Sequence, residues 1–177
     1  MHPWKLKKSE IVFDDFLQIT KDTYALPNGK ESAFRYLSNI DTAAVLAATP
    51  QQKLVLIKQF RPSVKQTVLE MPGGIIDTGE NPRTTAKREL EEETGYVAKQ
   101  LILLGTYYLS PGGSGSLMHL YFARVTKTGK QTLEPEEDVT VVLKTKKELH
   151  KLFDKNNVLV RGALPLALYV AERRGLV

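Results

Sequence analysis

Cysteine is absent from this chain of 177 residues, and histidine occurs only three times. Without cysteine the protein can form neither a disulfide nor a thiolate metal site. His2, His119 and His150 are far apart in the sequence, so a zinc site built from them is not expected. Any metal site must therefore use oxygen ligands, and carboxylates are the ligands that suit magnesium or manganese.

Long apolar runs are also absent, since no segment approaches the roughly 20 apolar residues of a membrane-spanning helix. The N-terminus reads MHPWKLKK and then becomes acidic and mixed, without the apolar core of a signal peptide. We therefore expect a cytoplasmic protein that does not bind membranes. The formal net charge of +5 favours an anionic partner such as a phosphate ester. It is too small to indicate nucleic-acid binding by itself.

Residues 1–40 have the pattern of a small antiparallel β meander. Three short segments rich in apolar and aromatic residues are present, and Asn28-Gly29 between the last two is a turn signal. The predicted strands are residues 10–19, 23–26 and 32–37. We predict that residues 1–40 form a β-rich subdomain placed ahead of the main domain, residues 41–177.

The rest of the chain interleaves strand patterns with helix patterns. The strand patterns are at residues 42–49, 53–60, 99–109, 116–125 and 138–145, and helix patterns lie near 146–155 and 163–175. Such interleaving indicates a layered α/β or α+β domain. Hairpin-like and crossover spacings both occur, which favours a mixed sheet.

A further helix in the middle of the chain has clear boundaries. Asn81 can cap it, and Pro82 suits its first position, where a missing N–H costs nothing. Gly95 suits the left-handed residue that follows a last helical turn. These signals predict a helix from about Pro82 to Thr94.

This helix carries the run RELEEE at residues 88–93. Because residues three and four apart share a helix face, Glu89, Glu92 and Glu93 should project to one side. Clustered carboxylates repel one another, and a divalent cation would reverse that interaction. Arg88 precedes Glu92 by four residues and can also pair with acids of the preceding loop. The apolar side chains of Ala86, Leu90 and Val97 are expected to face the core.

Gly73-Gly74, upstream of the helix, would let the backbone approach whatever the carboxylates hold. The Gly73 carbonyl is itself a candidate hard oxygen ligand. Each feature also has an ordinary structural explanation, because a glutamate run is usually a solvated face and a Gly-Gly pair is usually a turn. The spacing of the whole segment favours the functional interpretation, with acidic, basic and glycine positions at Gly74, Glu80, Arg88, Glu89, Glu92, Glu93 and Gly95.

This spacing resembles the signature of the Nudix hydrolase family. Tyr96 departs from it, since the family pattern has an aliphatic residue there, but an aromatic side chain can fill the same apolar position. The resemblance implies an α/β fold, the Nudix α/β/α sandwich with a mixed sheet. It also implies that Mg²⁺, or Mn²⁺ in its place, is bound by Glu89, Glu92, Glu93 and the carbonyl of Gly73.

Three other segments are similar to the ADP-ribose pyrophosphatase branch of that family. They are QFRPSVKQTVLEMPGGIID, LSPGG with Pro111, and EEDVTVV. The similarity covers about residues 40–145 and implies hydrolysis of a nucleoside diphosphate sugar, with ADP-ribose giving AMP and ribose 5-phosphate. The segment GGSGS after Pro111 lacks an acid that several branch members carry. GDP-mannose or a broad set of nucleotide sugars is therefore an alternative, and a non-catalytic nucleotide sensor is a second one.

The resemblance also implies roles for residues outside the helix. Arg61 is expected to clamp the diphosphate, since a guanidinium can hold two oxygens, and Glu70 is expected to contact the metal shell or the substrate. A surface arginine and an acid at a strand end are the plain alternatives. Arg88 and Glu92 are placed in the catalytic group, with Arg88 orienting the glutamates. Ser110 and Pro111 are expected to shape the sugar pocket.

The general base is expected in the late acidic loop, with Glu137 as the first candidate and Glu136 as the second. A flexible acidic loop without a catalytic role is the alternative. Glu80 is expected to support the loop before the helix, and His119 to be a half-buried strand residue.

In the resembled branch, an N-terminal segment of this kind exchanges across a two-fold dimer and brings aromatic residues to the partner's nucleobase. We therefore expect a homodimer formed through the N-terminal strands. The aromatic residues available for stacking are Trp4, Phe13, Tyr24, Phe34 and Tyr36. Packing within the meander is the alternative for each of them.

Overall fold

A computed structural model describes residues 3–38, 40–127, 129–135, 137–155 and 159–177. The strands are β1 (Lys5–Phe13), β2 (Ile19–Ala25), β3 (Glu31–Leu37), β4 (Thr42–Ala48), β5 (Leu54–Arg61), β6 (Gln66–Glu70), β7 (Gly73–Ile75), β8 (Tyr96–Ala98), β9 (Ile102–Tyr108), β10 (Leu117–Lys127) and β11 (Val139–Lys144). The helices are α1 (Pro82–Thr94), α2 (Lys146–Phe153) and α3 (Ala163–Arg173). The chain divides into two compact units, one of residues 1–41 and 107–117 and one of residues 42–106 and 118–177.

The first unit contains the antiparallel sheet β1-β2-β3, which confirms the predicted meander. The predicted single strand over residues 10–19 is wrong, because β1 ends at Phe13 and β2 begins at Ile19. Between them the Asp15 carboxylate accepts a 2.8 Å hydrogen bond from the Phe16 N–H. Such local side-chain bonds offer the backbone an alternative to the strand ladder.

The segment of residues 107–117 also belongs to the first unit. The Leu37 N–H donates to the Gly113 carbonyl over 2.9 Å, and the Ile40 N–H donates to Ser116 Oγ over 2.8 Å. The sequence prediction placed this segment in the main domain. Its partners are more than seventy residues away in the chain, and such pairing has no local sequence signal.

The second unit is built on a mixed sheet with the order β11-β5-β4-β10-β8. In addition, β6 pairs with β5, β7 with β4 and β9 with β10. The pair β4 and β10 is parallel, whereas β5 runs antiparallel to β4, β6 and β11. The predicted mixed sheet is therefore confirmed.

Strand β4 is buried on both faces. Its odd-numbered residues Ala43, Val45 and Ala47 form a core cluster with Ala86 and Leu90 of α1. Because successive strand residues point to opposite faces, its even-numbered residues lie on the other side. Helix α3 also packs against β4, and we infer that it covers this second face. The result is an α/β/α arrangement, as predicted.

Helix α1 has the predicted bounds. The Asn81 side chain accepts a 2.9 Å hydrogen bond from the Arg83 N–H. Gly95 ends the helix with φ 68°, and its N–H donates to the Glu91 carbonyl over 2.7 Å. Tyr96 follows at 9% exposure within the core cluster. Its aromatic ring therefore occupies the apolar position at which the family pattern has an aliphatic residue.

Helices α2 and α3 complete the second unit. Helix α2 begins with a reciprocal capping box between Thr145 and Glu148, and α3 buries Leu164 and Leu168 completely. None of the helices in the described parts of the chain combines the length and apolar character that crossing a membrane requires.

Candidate active site

Two glycines place the β7 backbone against the acidic face of α1. The Gly73 N–H donates a 2.8 Å hydrogen bond to Glu93 Oε2. A Cβ atom on Gly73 would lie 2.2 Å from the Ala43 carbonyl oxygen, and one on Gly74 would lie 2.2 Å from Glu89 Oε1. Both distances are far shorter than van der Waals contacts. The Gly-Gly pair is therefore part of a strand that fits closely against Ala43 and Glu89, not an ordinary turn.

Glu93 is the most buried of the three predicted metal-binding glutamates, at 2% exposure. Burial raises the pKa of Glu93 to about 8, and the nearby carboxylates of Glu89 and Glu137 act in the same direction. The hydrogen bond from Gly73 and the charge of Arg61 oppose the rise in pKa. A buried carboxylate with this excess of negative charge around it would be stabilised by an added cation.

Arg88 lies among four carboxylates. Its Nη1 is 2.9 Å from Glu89 and 3.0 Å from Glu92, while its Nη2 is 3.3 Å from Glu80 and 3.7 Å from Asp77. The guanidinium thus links both ends of the loop at residues 77–80 to the helix. This geometry fits the expectation that Arg88 orients the glutamates and pairs with acids of the preceding loop.

The three glutamates do not have equal surroundings. Burial raises the pKa of Glu89, and Arg88 opposes that rise. The Glu89 side chain is 12% exposed, whereas that of Glu92 is 40% exposed. Glu93 points inward to the backbone of β7, while Glu89 and Glu92 share one guanidinium nitrogen. The structure therefore places Glu93 against Gly73 and Glu89 against Gly74, and Arg88 connects Glu92 to Glu89.

The donor atoms of this region fit a hard divalent cation. Glu89, Glu92 and Glu93 supply carboxylate oxygens, which Mg²⁺ and Mn²⁺ prefer. Among the residues that the structure describes, no three acidic or histidine side chains already surround one point as the ligands of an ion. Arg88 Nη1 instead bridges Glu89 and Glu92. An ion held by these carboxylates would therefore compete with Arg88 for their oxygens.

A second charged group is centred on Glu70, which is 1% exposed. Arg61 donates to both of its oxygens, from Nε over 2.6 Å and from Nη2 over 2.9 Å. Arg161 Nη1 donates to Oε2 over 2.9 Å. Burial alone would raise the pKa of Glu70, but the two guanidiniums outweigh it and the pKa is lowered. Glu70 is thus an arginine-binding residue in this structure, and its predicted contact with a metal shell stays a prediction.

The base candidates lie in the loop before β11. Glu137 Oε2 accepts a 3.0 Å hydrogen bond from the Glu134 N–H. Its charge is close enough to contribute to the raised pKa of Glu89 and of Glu93. Glu136 lies outside the described residues. The structure thus brings Glu137 near the glutamates of α1, and its role as the base stays a prediction.

Ser110 and Pro111 lie in the first unit, in the segment of residues 107–117. The Ser110 carbonyl accepts hydrogen bonds from the N–H groups of Gly113 and Ser114, over 2.9 and 2.8 Å. Both residues are exposed, and their role in a sugar pocket stays a prediction. His119 is half-buried in β10, as expected, with Nδ1 3.0 Å from Thr106 Oγ1.

Arg161 is the charged residue of this site that the sequence did not reveal. It follows a segment that pairs with β6, since the Leu69 N–H donates to the Leu159 carbonyl and the Arg161 N–H donates to the Leu69 carbonyl. The sequence around it, LVRGALP, has no feature that marks a binding residue. Only the pairing of residues ninety positions apart brings Arg161 to Glu70.

Comparison with known proteins gives one family match over most of the chain. The family model of the NUDIX domain matches residues 39–159. ADP-ribose pyrophosphatase of Bacillus subtilis (strain 168) is 35% identical over 155 residues, which are 86% of this chain and 84% of that protein. Methanol dehydrogenase activator of Bacillus methanolicus is 34% identical over 138 residues, which are 78% of this chain and 75% of that protein.

A solved structure supports the fold. The crystal structure of an ADP compounds hydrolase has a TM-score of 0.82 to this chain, covering 100% of this chain and 98% of that one. The two sequences are 21% identical, so this likeness concerns the fold alone.

Proposed function

The chain belongs to the NUDIX domain family, and from this premise we propose that it hydrolyses the diphosphate of a nucleoside diphosphate sugar with the help of Mg²⁺. ADP-ribose is the proposed substrate, and AMP and ribose 5-phosphate are the products. The observation that carries the proposal is the contact of Gly73 with Glu93 beside Glu89, Glu92 and Arg88. It places carboxylate oxygens, which are hard donors, beside the glycine backbone of β7, where no side chain blocks the approach of an ion.

Glu89, Glu92, Glu93 and the Gly73 carbonyl would hold the ion, with Mn²⁺ as a substitute for Mg²⁺. When bound, the ion neutralises the diphosphate and makes a water molecule more acidic. Arg88 positions Glu89 and Glu92 through its two Nη1 contacts. The excess of carboxylates around Glu93 supports this assignment, because a cation there offsets their repulsion.

The substrate is oriented by residues of this chain. Arg61 binds diphosphate oxygens through the guanidinium that Glu70 holds. Glu137 accepts a proton from the attacking water, whose oxygen forms a bond to one phosphorus. The bond from that phosphorus to the bridging oxygen breaks, and the bridging oxygen leaves with the other phosphate. If the variant Glu137→Gln lost less than about tenfold in kcat, Glu137 would be ruled out as the sole base.

ADP-ribose is proposed because a relative that is 35% identical over most of this chain is an ADP-ribose pyrophosphatase. The segment QFRPSVKQTVLEMPGGIID supports the same branch, and its Arg61 lies in the charged group of the site. All three glutamates of α1 are present, with Glu93 hydrogen-bonded to Gly73 and both Glu89 and Glu92 paired with Arg88, which favours hydrolysis over nucleotide sensing.

A homodimer through the N-terminal strands is part of this proposal. Strand β1 and the residues after it expose Ile11, Val12, Phe13 and Phe16, with Phe16 at 78% exposure. Exposed apolar side chains concentrated in one short segment fit burial against a second copy of the chain. Light scattering at micromolar concentration tests this point, and a monomer would refute it.

The activity is tested with a substrate panel in Mg²⁺, in Mn²⁺ and after chelation. The panel holds ADP-ribose, GDP-mannose, UDP-glucose, NADH, diadenosine polyphosphates and 8-oxo-dGTP, with the products resolved by chromatography. The expected result is the highest kcat/KM for ADP-ribose, with loss of activity on chelation. A preference for GDP-mannose would replace ADP-ribose as the assigned substrate and leave the proposed mechanism unchanged. Binding of ADP-ribose without turnover of any compound would refute the enzymatic proposal.

A further inference from the structure

Two arginines share one buried carboxylate at this site. Arg61 and Arg161 each place a nitrogen 2.9 Å from the same atom, Glu70 Oε2. The Glu70 side chain is 2% exposed, whereas those of Arg61 and Arg161 are 37% and 34% exposed. The acid is therefore inside the protein, and the two guanidiniums it holds lie side by side at the surface of the site.

The charges of this group do not balance. Arg61 alone already contacts both oxygens of Glu70 in the two-point geometry that satisfies a carboxylate. Arg161 adds a second positive charge, so one net positive charge remains. An excess cation that is partly exposed favours an anionic ligand at that point.

Arg161 is not needed to attach its own segment to the sheet. The backbone of that segment already makes two hydrogen bonds to Leu69, of 2.8 Å from the Leu69 N–H to the Leu159 carbonyl and 3.0 Å from the Arg161 N–H to the Leu69 carbonyl. The side chain of Arg161 is therefore available for a role beyond holding residues 159–161 in place.

Donors remain on both guanidiniums. Within the described parts of the chain, the Arg161 side chain donates only from Nη1, and the Arg61 side chain donates from Nε and Nη2. Among the described residues, Nε and Nη2 of Arg161 and Nη1 of Arg61 have no hydrogen-bond partner and can donate to a ligand. The hydrogen bonds to Glu70 raise the pKa of Arg61, and the charges of Glu93 and Glu137 act in the same direction. This effect indicates that Arg61 is also close to the proposed catalytic carboxylates.

We propose that Arg161 is a second diphosphate-binding residue, positioned beside Arg61 by Glu70. The two guanidiniums bind different oxygens of the diphosphate, so that the substrate is held from two directions while the glutamates of α1 hold the metal. This inference rests on the proposed function and deepens it. It assigns a contact that neither the signature of the family nor the sequence around Arg161 indicates.

The experiment compares Arg161→Met and Arg161→Lys with the control Arg173→Met. Arg173 is an exposed arginine at the end of α3. Steady-state kinetics with ADP-ribose give KM and kcat. Calorimetry gives the Kd of methylenediphosphonate, which has the two phosphorus groups but cannot be hydrolysed at the bridge, in the presence of Mg²⁺. Thermal unfolding reports whether each variant is folded.

For Arg161→Met, loss of a charge-assisted contact should raise KM and the Kd of methylenediphosphonate about tenfold, with kcat changed by less than about threefold. Arg161→Lys keeps the charge but not the planar fork, so a smaller rise in both is expected. Arg173→Met should match the wild type.

A KM and Kd equal to those of the wild type in Arg161→Met would overturn the proposal and leave Arg161 a structural residue. Should that variant fail to fold, Arg161→Lys decides by the same criterion. Failure of the proposed function is distinguishable, since the wild type would then turn over no compound of the panel. In that case the binding of methylenediphosphonate still tests the anion site: weaker binding to the Arg161 variants supports it, and equal binding overturns it.

Discussion

Gly74 and Glu89 fit together at the scale of single atoms. A Cβ atom on Gly74 would meet Glu89 Oε1 at 2.2 Å, which is the far end of a flexible side chain. Gly74→Ala should therefore displace the carboxylate and leave the backbone in place. We expect the free energy of unfolding to change by less than about 1 kcal/mol and kcat to fall about a hundredfold or more. Urea unfolding and steady-state kinetics measure the two effects.

The matched control is Gly129→Ala, because a Cβ atom there would meet nothing within 4 Å. It should leave kcat unchanged. If Gly74→Ala kept full activity, the close approach to Glu89 would have no catalytic meaning. Gly73→Ala differs from both, since its Cβ would meet backbone at Ala43, and it should lower stability as well.

Glu93 combines burial with a raised pKa of about 8. Glu93→Gln keeps an oxygen that can accept the hydrogen bond from the Gly73 N–H and removes a charge that is costly to bury. We expect a folded protein with kcat lowered about a hundredfold or more. The control is Glu91→Gln, an exposed residue of the same helix, which should be close to wild type. Near-normal turnover of Glu93→Gln would contradict its role as a metal ligand.

At the scale of elements, α1 owes its start to Asn81, whose side chain accepts from the Arg83 N–H. Asn81→Ala leaves that N–H without its acceptor and should lower the free energy of unfolding by about 1 kcal/mol. Asn81→Asp keeps the acceptor, and its charge is favourable at a helix N-terminus, so it should retain stability. Chemical denaturation of the three proteins checks this. Equal stability of all three would mean that the cap contributes nothing.

The bounds of α1 could be predicted because capping is local: Asn81, Pro82 and Gly95 act on residues within one turn. The strand predicted over residues 10–19 failed for a local reason as well. Apolar residues lie on both sides of Asp14 and Asp15, but the Asp15 carboxylate accepts from the neighbouring Phe16 N–H between the two observed strands. Apolar content alone did not separate one long strand from two.

At the scale of the whole molecule, Glu70 ties β6 to Arg61 and Arg161. Its pKa lies below the ordinary value of 4.5. A lowered pKa means that this group's stabilisation is present above pH 4.5 and is lost as the pH falls through the folded-state pKa. Glu70→Gln should therefore lose less stability than the wild type on acidification from neutral pH.

At neutral pH the same variant should be less stable by about 2 kcal/mol, less than for fully buried partners because both guanidiniums keep contact with solvent. Unfolding free energies across the acidic range test both statements. Parallel pH profiles for wild type and Glu70→Gln would contradict the assignment of this ion-pair group as a source of acid sensitivity.

The acidic helix and the glycine pair of the site could be predicted, since both belong to one continuous sequence motif from Gly73 to Gly95. Arg161 and the segment of residues 107–117 could not. Arg161 reaches Glu70 only through the pairing of residues 159–161 with Leu69. Residues 107–117 join the first unit through bonds such as that from Leu37 to Gly113. Contacts across such distances in sequence depend on the assembled sheet.

The parallel pairing of β4 with β10 has a consequence for how the protein is made. Ala44, which lies against Gly73, is paired in β10 with Leu120. On the ribosome, Gly73 and α1 therefore emerge well before the strand that completes their support, and Arg161 emerges later still. Pairings between such distant segments form slowly. We infer that the site gains its geometry only near the end of synthesis, so that chains truncated before β10 would carry the whole glutamate motif and remain inactive.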